Sequence, residues 1–309
     1  MTLSIIDMGA LAARLATLDE VKGRSLWADA RLRFVGNKAA VAGLVMLVFC
    51  VSFALFGQML SPYTYDYTDF TIMGHAAELG APSWAKGYYF GTDDLGRDLF
   101  ARTAMGTGIS LIVGVVSSVI AVVVGTLYGA ASGYVGGRTD GIMMRIVDIL
   151  MAVPFMFIII LLLVMFGKSL TVLYTGIGLL SWLGMARIVR GQTLSLKGRE
   201  FIEAARATGV PGWRIVLRHI VPNLLGLVVV YATLLIPDVI LTESFISFLG
   251  LGVQEPQTSL GELISEGAKT IRYGTLWQLG FPLMFFILTM FGFYFVGDGL
   301  RDALDPKDR

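Results

Sequence analysis

"EFIEAARATGVPGWRIVLRHIVPN", Glu200 to Asn223, lies between two strongly apolar stretches, yet it is charged and has a turn in its middle. Glu200–Thr208 holds good helix formers and neither Pro nor Gly. Gly209 suits the position just past a helix end, where positive φ is needed, and Pro211 blocks simple continuation. A second short helix is predicted from Gly212 to Ile220, with Trp213, Val216, Leu217 and Ile220 recurring at helical spacing on one apolar face. Arg214 and Arg218 stand one turn apart on another face, and Pro222 is expected to end this helix at the membrane surface. Two short helices meeting at a Gly-Pro turn make a rigid knob. Ala204 and Ala205 keep one side of it flat enough for another surface to approach, and Glu203 and the arginines offer charge pairs at its edge. Physical chemistry alone leaves two readings open: a knob that docks on a protein, or an amphipathic hairpin lying on lipid headgroups.

The surrounding chain places that knob. Of 309 residues, 55% are hydrophobic and only 15% charged, where a soluble domain carries about 25% charged residues. The composition is that of a polytopic membrane protein. Formal net charge is +1; this says nothing about nucleic acid, and no nucleic-acid partner is expected. The single cysteine, Cys50, excludes an internal disulfide and a Cys-rich metal cluster, and in its apolar run it reads as an inert buried thiol. The first 38 residues lack an apolar core near the start, so no cleaved secretory signal is expected.

A bilayer core about 30 Å thick needs roughly 20 apolar residues of helix. Six stretches qualify: Ala39–Leu60, Ile109–Ser132, Ile149–Gly167, Leu170–Ala186, Leu224–Thr242 and Leu276–Val296. The fifth carries Pro237 and Asp238, so it either breaks there or lines a cavity. Lys and Arg divide unevenly among the loops. Eighteen fall on the side of the N-terminal segment, the second and fourth loops and the tail; six fall on the other. That split puts both termini and Glu200–Asn223 in the cytoplasm. The two substantial outside segments are Ser61–Met105 and Glu243–Thr275.

Gly125, Gly129, Gly133 and Gly137 repeat every four residues, lining one helical face with small residues. They serve either close packing within the subunit, the reading adopted, or a contact between subunits. Asp238 is the candidate for lining a translocation path. An ionisable group at membrane depth should face a cavity or a partner; the alternative places it near the outer headgroups beyond a break at Pro237. "GTDDLGRD", Gly91–Asp98, has P-loop glycine spacing but continues with Arg97 and Asp98 rather than Lys then Ser or Thr. It reads as a structural turn in which Arg97 pairs with a nearby acid and anchors the second span. "GKS" at Gly167–Ser169 fails because Leu162 stands where the first glycine belongs. The only histidines are His75 and His219, outside every predicted span, so intramembrane zinc and Ser-His proteases are excluded. Asp298 reads as a helix-end residue pairing with Arg301, not as half of an aspartyl dyad.

Glu203-Ala204-Ala205, three residues, Gly209, then Pro222 thirteen positions on, resembles the EAA loop of ABC-importer permeases. The family pattern has an Ile and a Leu before the proline, where this chain has His219 and Val221. "HIVPN" resembles the peptide-permease branch. The resemblance extends through "GRSLWADARLRF" (Gly23–Phe34), "FGTDDLGRDLFAR" (Phe90–Arg102), "GTLYGAASGYVGG" (Gly125–Gly137), "ARIVRGQTLSLKGREFIEAA" (Ala186–Ala205), "ESFISFLGLGVQEP" (Glu243–Pro256) and "GDGLRDALDPKDR" (Gly297–Arg309). Together these are similar to the C-type permeases of the oligopeptide/dipeptide importer family. Asp238 departs from the small polar residue expected there.

The resemblance implies an all-α polytopic protein of the bacterial inner membrane with six transmembrane helices, both termini inside. A first helix at 39–60 follows a cytoplasmic segment 1–38. A periplasmic loop covers 61–105. A five-helix type I permease core spans 106–300, holding the coupling loop 200–223 and a periplasmic loop 243–275, and a tail covers 301–309. It further implies coupling through Glu200, Glu203, Ala204, Ala205, Gly209, Arg218 and Pro222 to two cytoplasmic ATPase subunits. A homologous B-type permease, a periplasmic peptide-binding protein, peptide substrate and membrane lipid are the other implied partners. ATP and Mg would be bound by the ATPase subunits, and no cofactor or metal by this chain. The implied mechanism is alternating access. Importers of the same build for dipeptides, glutathione or nickel remain open. So does a lone secondary transporter or channel, for which Asp238 is the one intramembrane charge on offer.

Overall fold

The computed structural model describes residues 26–304; most of the 1–38 segment and the last five residues of the predicted tail lie outside the described residues. The described residues are helical, with only three isolated β-bridges, all in the loop before the second span. In chain order the helices are α1 (Leu26–Gly36), α2 (Lys38–Leu60), α3 (Ala76–Leu79), α4 (Leu99–Val135), α5 (Gly137–Ala152), α6 (Phe155–Phe166), α7 (Leu170–Leu196), α8 (Glu200–Ala207), α9 (Gly212–Phe248), α10 (Leu260–Thr270) and α11 (Leu276–Leu304). Five of them are long and apolar enough to cross a bilayer, and α5 with α6 forms a sixth, bent candidate.

Side-chain caps fix where several helices start. Asn37 Oδ1 accepts from the Ala39 and Ala40 amides at 3.0 and 3.2 Å and opens α2. The Asp98 carboxylate accepts from the Ala101 amide at 3.0 Å and opens α4, and Ser259 Oγ accepts from the Glu262 amide at 3.3 Å and opens α10. α4 is the central post. It packs along α7 and α9, and α2 and α11 close on its other side. α2 is joined to α11 through stacked rings, Phe53 on Phe285 with centroids 4.1 Å apart. Large apolar side chains such as Val48, Leu161 and Val164 point outward, the pattern a lipid-facing surface requires.

Several predicted boundaries move. The second span begins at Leu99, so 99–105 belongs to α4 rather than to the outside loop. The fourth runs ten residues past Ala186, to Leu196. The stretch Ile149–Gly167 is not one helix: Val153 and Pro154 are extended, and the flanking helices are bent by 78°. Proline at 154 has no amide to donate and disfavours helix in the residue before it. Pro222 does not end a helix. A π-turn over Val216–Ile220 carries the chain into the span, with the Val221 amide bonded to the Val216 carbonyl. Pro237 sits inside α9 without breaking it, and Glu243–Phe248 are the last residues of that helix, not loop. No ion pair forms between Asp298 and Arg301 among the described residues.

Candidate functional site

The knob is built as two helices around one turn. At its tip Gly209 adopts φ +77°. The Gly209 amide donates to the Arg206 carbonyl at 2.9 Å and the Val210 amide to the Ala205 carbonyl at 3.1 Å. That bond pair is a Schellman stop, and it needs a residue at ease with positive φ. The inner face of the knob is core. Ile202, Ala205, Ile215, Val216 and Ile220 pack with Ala130 of α4 and Met185 and Val189 of α7. Arg206 lies over the Tyr134 ring at 4.9 Å, and that ring also sits against Gly212.

The outer face is what remains for another surface. Glu200, Glu203, Ala204, Gly209, Arg218 and Pro222 are exposed, whereas Ala205 is buried in the chain's own core. The structure therefore splits the predicted Ala204–Ala205 platform. It also splits the predicted apolar face: Val216 and Ile220 turn inward, while Trp213 and Leu217 are 62% and 50% exposed. The extra residue of the π-turn rotates the sequence relative to a 3.6-residue period. Trp213 and Leu217, with Phe201, give the knob an outward apolar surface beside Arg214, whose guanidinium lies 5.2 Å from the Trp213 ring centre.

Below the knob the glycine row meets α7. A Cβ at Gly125 would stand 2.6 Å from Met185 Cβ, at Gly129 2.3 Å from the Ala186 carbonyl oxygen, and at Gly133 2.8 Å from Thr193 Cβ. These three glycines let two backbones approach within one subunit. Gly137 has nothing within 4 Å. The same corner is tied by Asp140, which accepts from Arg190 Nε and Nη2 at 2.6 Å each and from Ser132 Oγ at 2.6 Å. This forked pair joins the starts of α5 and the lower part of α7 to α4.

Asp238 is exposed on α9, and Tyr294 of α11 donates its hydroxyl to Oδ1 at 3.4 Å. Five residues on, Glu243 is fully buried. Ser247 Oγ donates to it at 2.6 Å, Ser110 Oγ at 3.1 Å and Ser244 Oγ at 3.4 Å. The Leu260 amide donates to Ser110 Oγ at 3.2 Å, so this cage joins α4, α9 and the start of α10. Sequence reading passed over Glu243. Its signal was an acid with serines at the next and fourth positions inside an apolar run.

A second polar knot holds the loop before the second span. Arg97 Nε donates to Asp93 at 2.6 Å and Nη1 to Glu255 at 2.8 Å, which is the pairing read from "GTDDLGRD". Fully buried Arg102 reaches Asp93 at 3.2 Å and Glu266 at 3.3 Å. Burial raises the Glu266 carboxyl above its ordinary range even beside Arg102. Burial and then the charge of Glu266 push Glu262 up to about 7.

A family model described as "Binding-protein-dependent transport system inner membrane component" matches residues 125–309, and one described as "N-terminal TM domain of oligopeptide transport permease C" matches residues 25–78. The chain is 57% identical over 290 residues to the oligopeptide transport system permease protein OppC of Escherichia coli K12, covering 94% of each chain. It is 54% identical over 290 residues to the protein of that name from Haemophilus influenzae, covering 94% of this chain and 91% of that one. To the dipeptide transport system permease protein DppC of Bacillus subtilis it is 44% identical over 293 residues, covering 94% and 89%.

Proposed function

The chain belongs to the family of binding-protein-dependent transport system inner membrane components, and from that premise we propose that it is the C-type permease subunit of an ATP-driven oligopeptide importer. It is a transporter subunit of the inner membrane and not an enzyme. Near-full-length likeness, at 54–57% identity, to oligopeptide permeases of two species supports the substrate class. Its partners in this reading are a homologous permease, two cytoplasmic ATPase subunits and a periplasmic binding protein. Both termini and the knob face the cytoplasm, in keeping with the excess of Lys and Arg on that side.

One observation carries the mechanism: the outer half of the knob and the fifth span are a single helical rod. α9 has 37 residues, about 55 Å at 1.5 Å per residue. One end bears exposed Trp213 and Leu217; near the other, Glu243 is held by Ser110 of α4 and by Ser244 and Ser247 of α9 itself. Displacing the knob by an ATPase pushes a stiff rod whose far end is tied to α4 and α10. The knob's exposed residues Glu200, Glu203, Ala204, Gly209, Arg218 and Pro222 form the docking face, and buried Ala205 sets its backing. Asp238, on the exposed side of the rod, faces the path.

The test is uptake of labelled oligopeptides, dipeptides and glutathione by proteoliposomes holding the assembled complex and its binding protein. Oligopeptide uptake that requires ATP and all partners is expected. Uptake by this chain alone without ATP would establish a secondary transporter instead, and preference for a dipeptide or glutathione would replace the substrate class.

A further inference from the structure

The broken span offers a site that the coupling mechanism leaves unused. α6 has 12 residues, roughly 18 Å of helix, well short of the ~30 Å hydrocarbon core. The break at Val153–Pro154 therefore falls at membrane depth. Facing it are Leu180–Gly184 of α7, roughly 15–21 Å along that helix from Leu170, which is also mid-membrane. Between the two lies an apolar cavity of about 360 Å³, lined by Met151, Pro154, Phe155, Ile158, Leu180 and Gly184 among others. It is open: Met151 and Val153 are both 45% exposed, and a Cβ on Gly184 would meet nothing within 4 Å.

Two features set this face apart from a plain lipid-facing surface. The last carbonyls of α5 have no continuing helix to bond them; the bond beside the break, the Phe157 amide to the Pro154 carbonyl at 3.1 Å, closes the first turn of α6 and reaches none of them. Irregular backbone at membrane depth is tolerated only inside protein or along a water-filled cavity. Next to the groove, Arg187 Nη2 pairs with Asp148 Oδ1 at 2.5 Å while the two side chains stay 46% and 52% exposed. Asp148 is two residues before Leu150, and Arg187 is three after Gly184, so the pair borders the groove on both helices. By the same reckoning Arg187 lies roughly 25 Å along α7 from Leu170, so the pair stands near the edge of the hydrocarbon core and marks the mouth of the groove.

We infer that this groove is part of the translocation path and receives an apolar side chain of a passing peptide, with the Asp148–Arg187 pair facing the peptide's amides and termini. A neutral pair of opposite charges matches a zwitterionic chain without holding either end tightly. The open groove stands on geometry alone; water in it is part of the proposal, and the peptide as its occupant rests on the importer reading above.

The experiment uses the assembled complex with Cys50, the free buried cysteine, replaced by Ala. Ser181→Cys places a thiol in the groove, and Val48→Cys on the 57%-exposed lipid side of α2 is the reference. A charged methanethiosulfonate should label Ser181→Cys faster than the reference, and a Phe- and Leu-containing peptide should slow that labelling. Gly184→Leu fills the groove. It should lower uptake of a Phe- and Leu-containing peptide about tenfold more than uptake of a Gly/Ala peptide of equal length. Labelling no faster than the reference would overturn the proposal, since lipid or a partner subunit would then cover the groove. Equal loss of both peptides would overturn the side-chain site. A complex that imports no peptide while Ser181→Cys still labels would sink the importer reading and the occupant with it, and would uphold the aqueous groove.

Discussion

Gly209 allows backbone strain and surface contact to be separated at the proposed coupling knob. Its φ of +77° is set by the Schellman bonds from Gly209 to Arg206 and from Val210 to Ala205. A Cβ there would meet nothing within 4 Å in this chain, so any intramolecular cost of a side chain is conformational. For an ordinary L-residue that cost is about 1–2 kcal/mol, less for Asn, and more for a β-branched side chain. Since about 1.4 kcal/mol is tenfold in an equilibrium, Gly209→Ala should lower the population of correctly turned knob roughly five- to thirtyfold. The activity order expected from strain is Gly, Asn, Ala, Val. If Gly209 instead served only to admit a partner surface, the order would follow size, and Ala would outperform Asn. The assay is peptide uptake per ATP hydrolysed in proteoliposomes, with assembly checked by size-exclusion chromatography. Ala exceeding Asn, or wild-type coupling in all three variants, would refute the conformational argument.

Gly129→Val should lower the melting temperature of the assembled complex. Its Cβ would stand 2.3 Å from the Ala186 carbonyl oxygen and 3.0 Å from the Arg190 amide nitrogen, and overpacking of this kind costs about 1–3 kcal/mol or more. Gly141→Ala, at a helical glycine with nothing within 4 Å, is the control and should cost nothing. Glu262 supplies a pH dependence. With its carboxyl raised from an ordinary 4.5 to about 7, the folded state holds the proton more tightly than the unfolded chain. Its contribution to stability is complete below about pH 4.5 and is lost as pH rises through about 7. Glu262→Gln should flatten melting temperature against pH across that window and raise it at pH 8; an unchanged slope would count against the burial and Glu266 repulsion invoked.

The spans were legible because long apolar runs have few other uses, and the turn of the knob because Gly and Pro punctuate it. Helix ends were not. α4 extends back to Leu99 through Arg102, a charge that hydropathy scores as an exit from the membrane. It remains helical because Asp93 and Glu266 neutralise it when fully buried. Proline was legible as a feature but not as an outcome. Pro154 breaks its span where the chain bends to frame a groove, whereas a π-turn precedes Pro222 and the rod continues. The facing of the knob failed for the same local reason, since one added residue per turn moves Trp213 and Leu217 outward.

Glu243 shows the deeper limit. A carboxyl in an apolar run signals a partner, but its partners lie far along the chain, at Ser110 and, through Ser247, at Ser259. Only tertiary structure brings those hydroxyls around it. The sequence marks where a charge must be compensated, by the cost of leaving it alone in hydrocarbon. It does not mark by what, because hydroxyls, a tyrosine or an arginine can each do so. Asp238 met Tyr294, Asp140 met Arg190 and Glu243 met serines. The three acids consequently hold different positions: one on an open face, one at the cytoplasmic corner in the proposed orientation, and one locking the far end of the rod that the knob would drive.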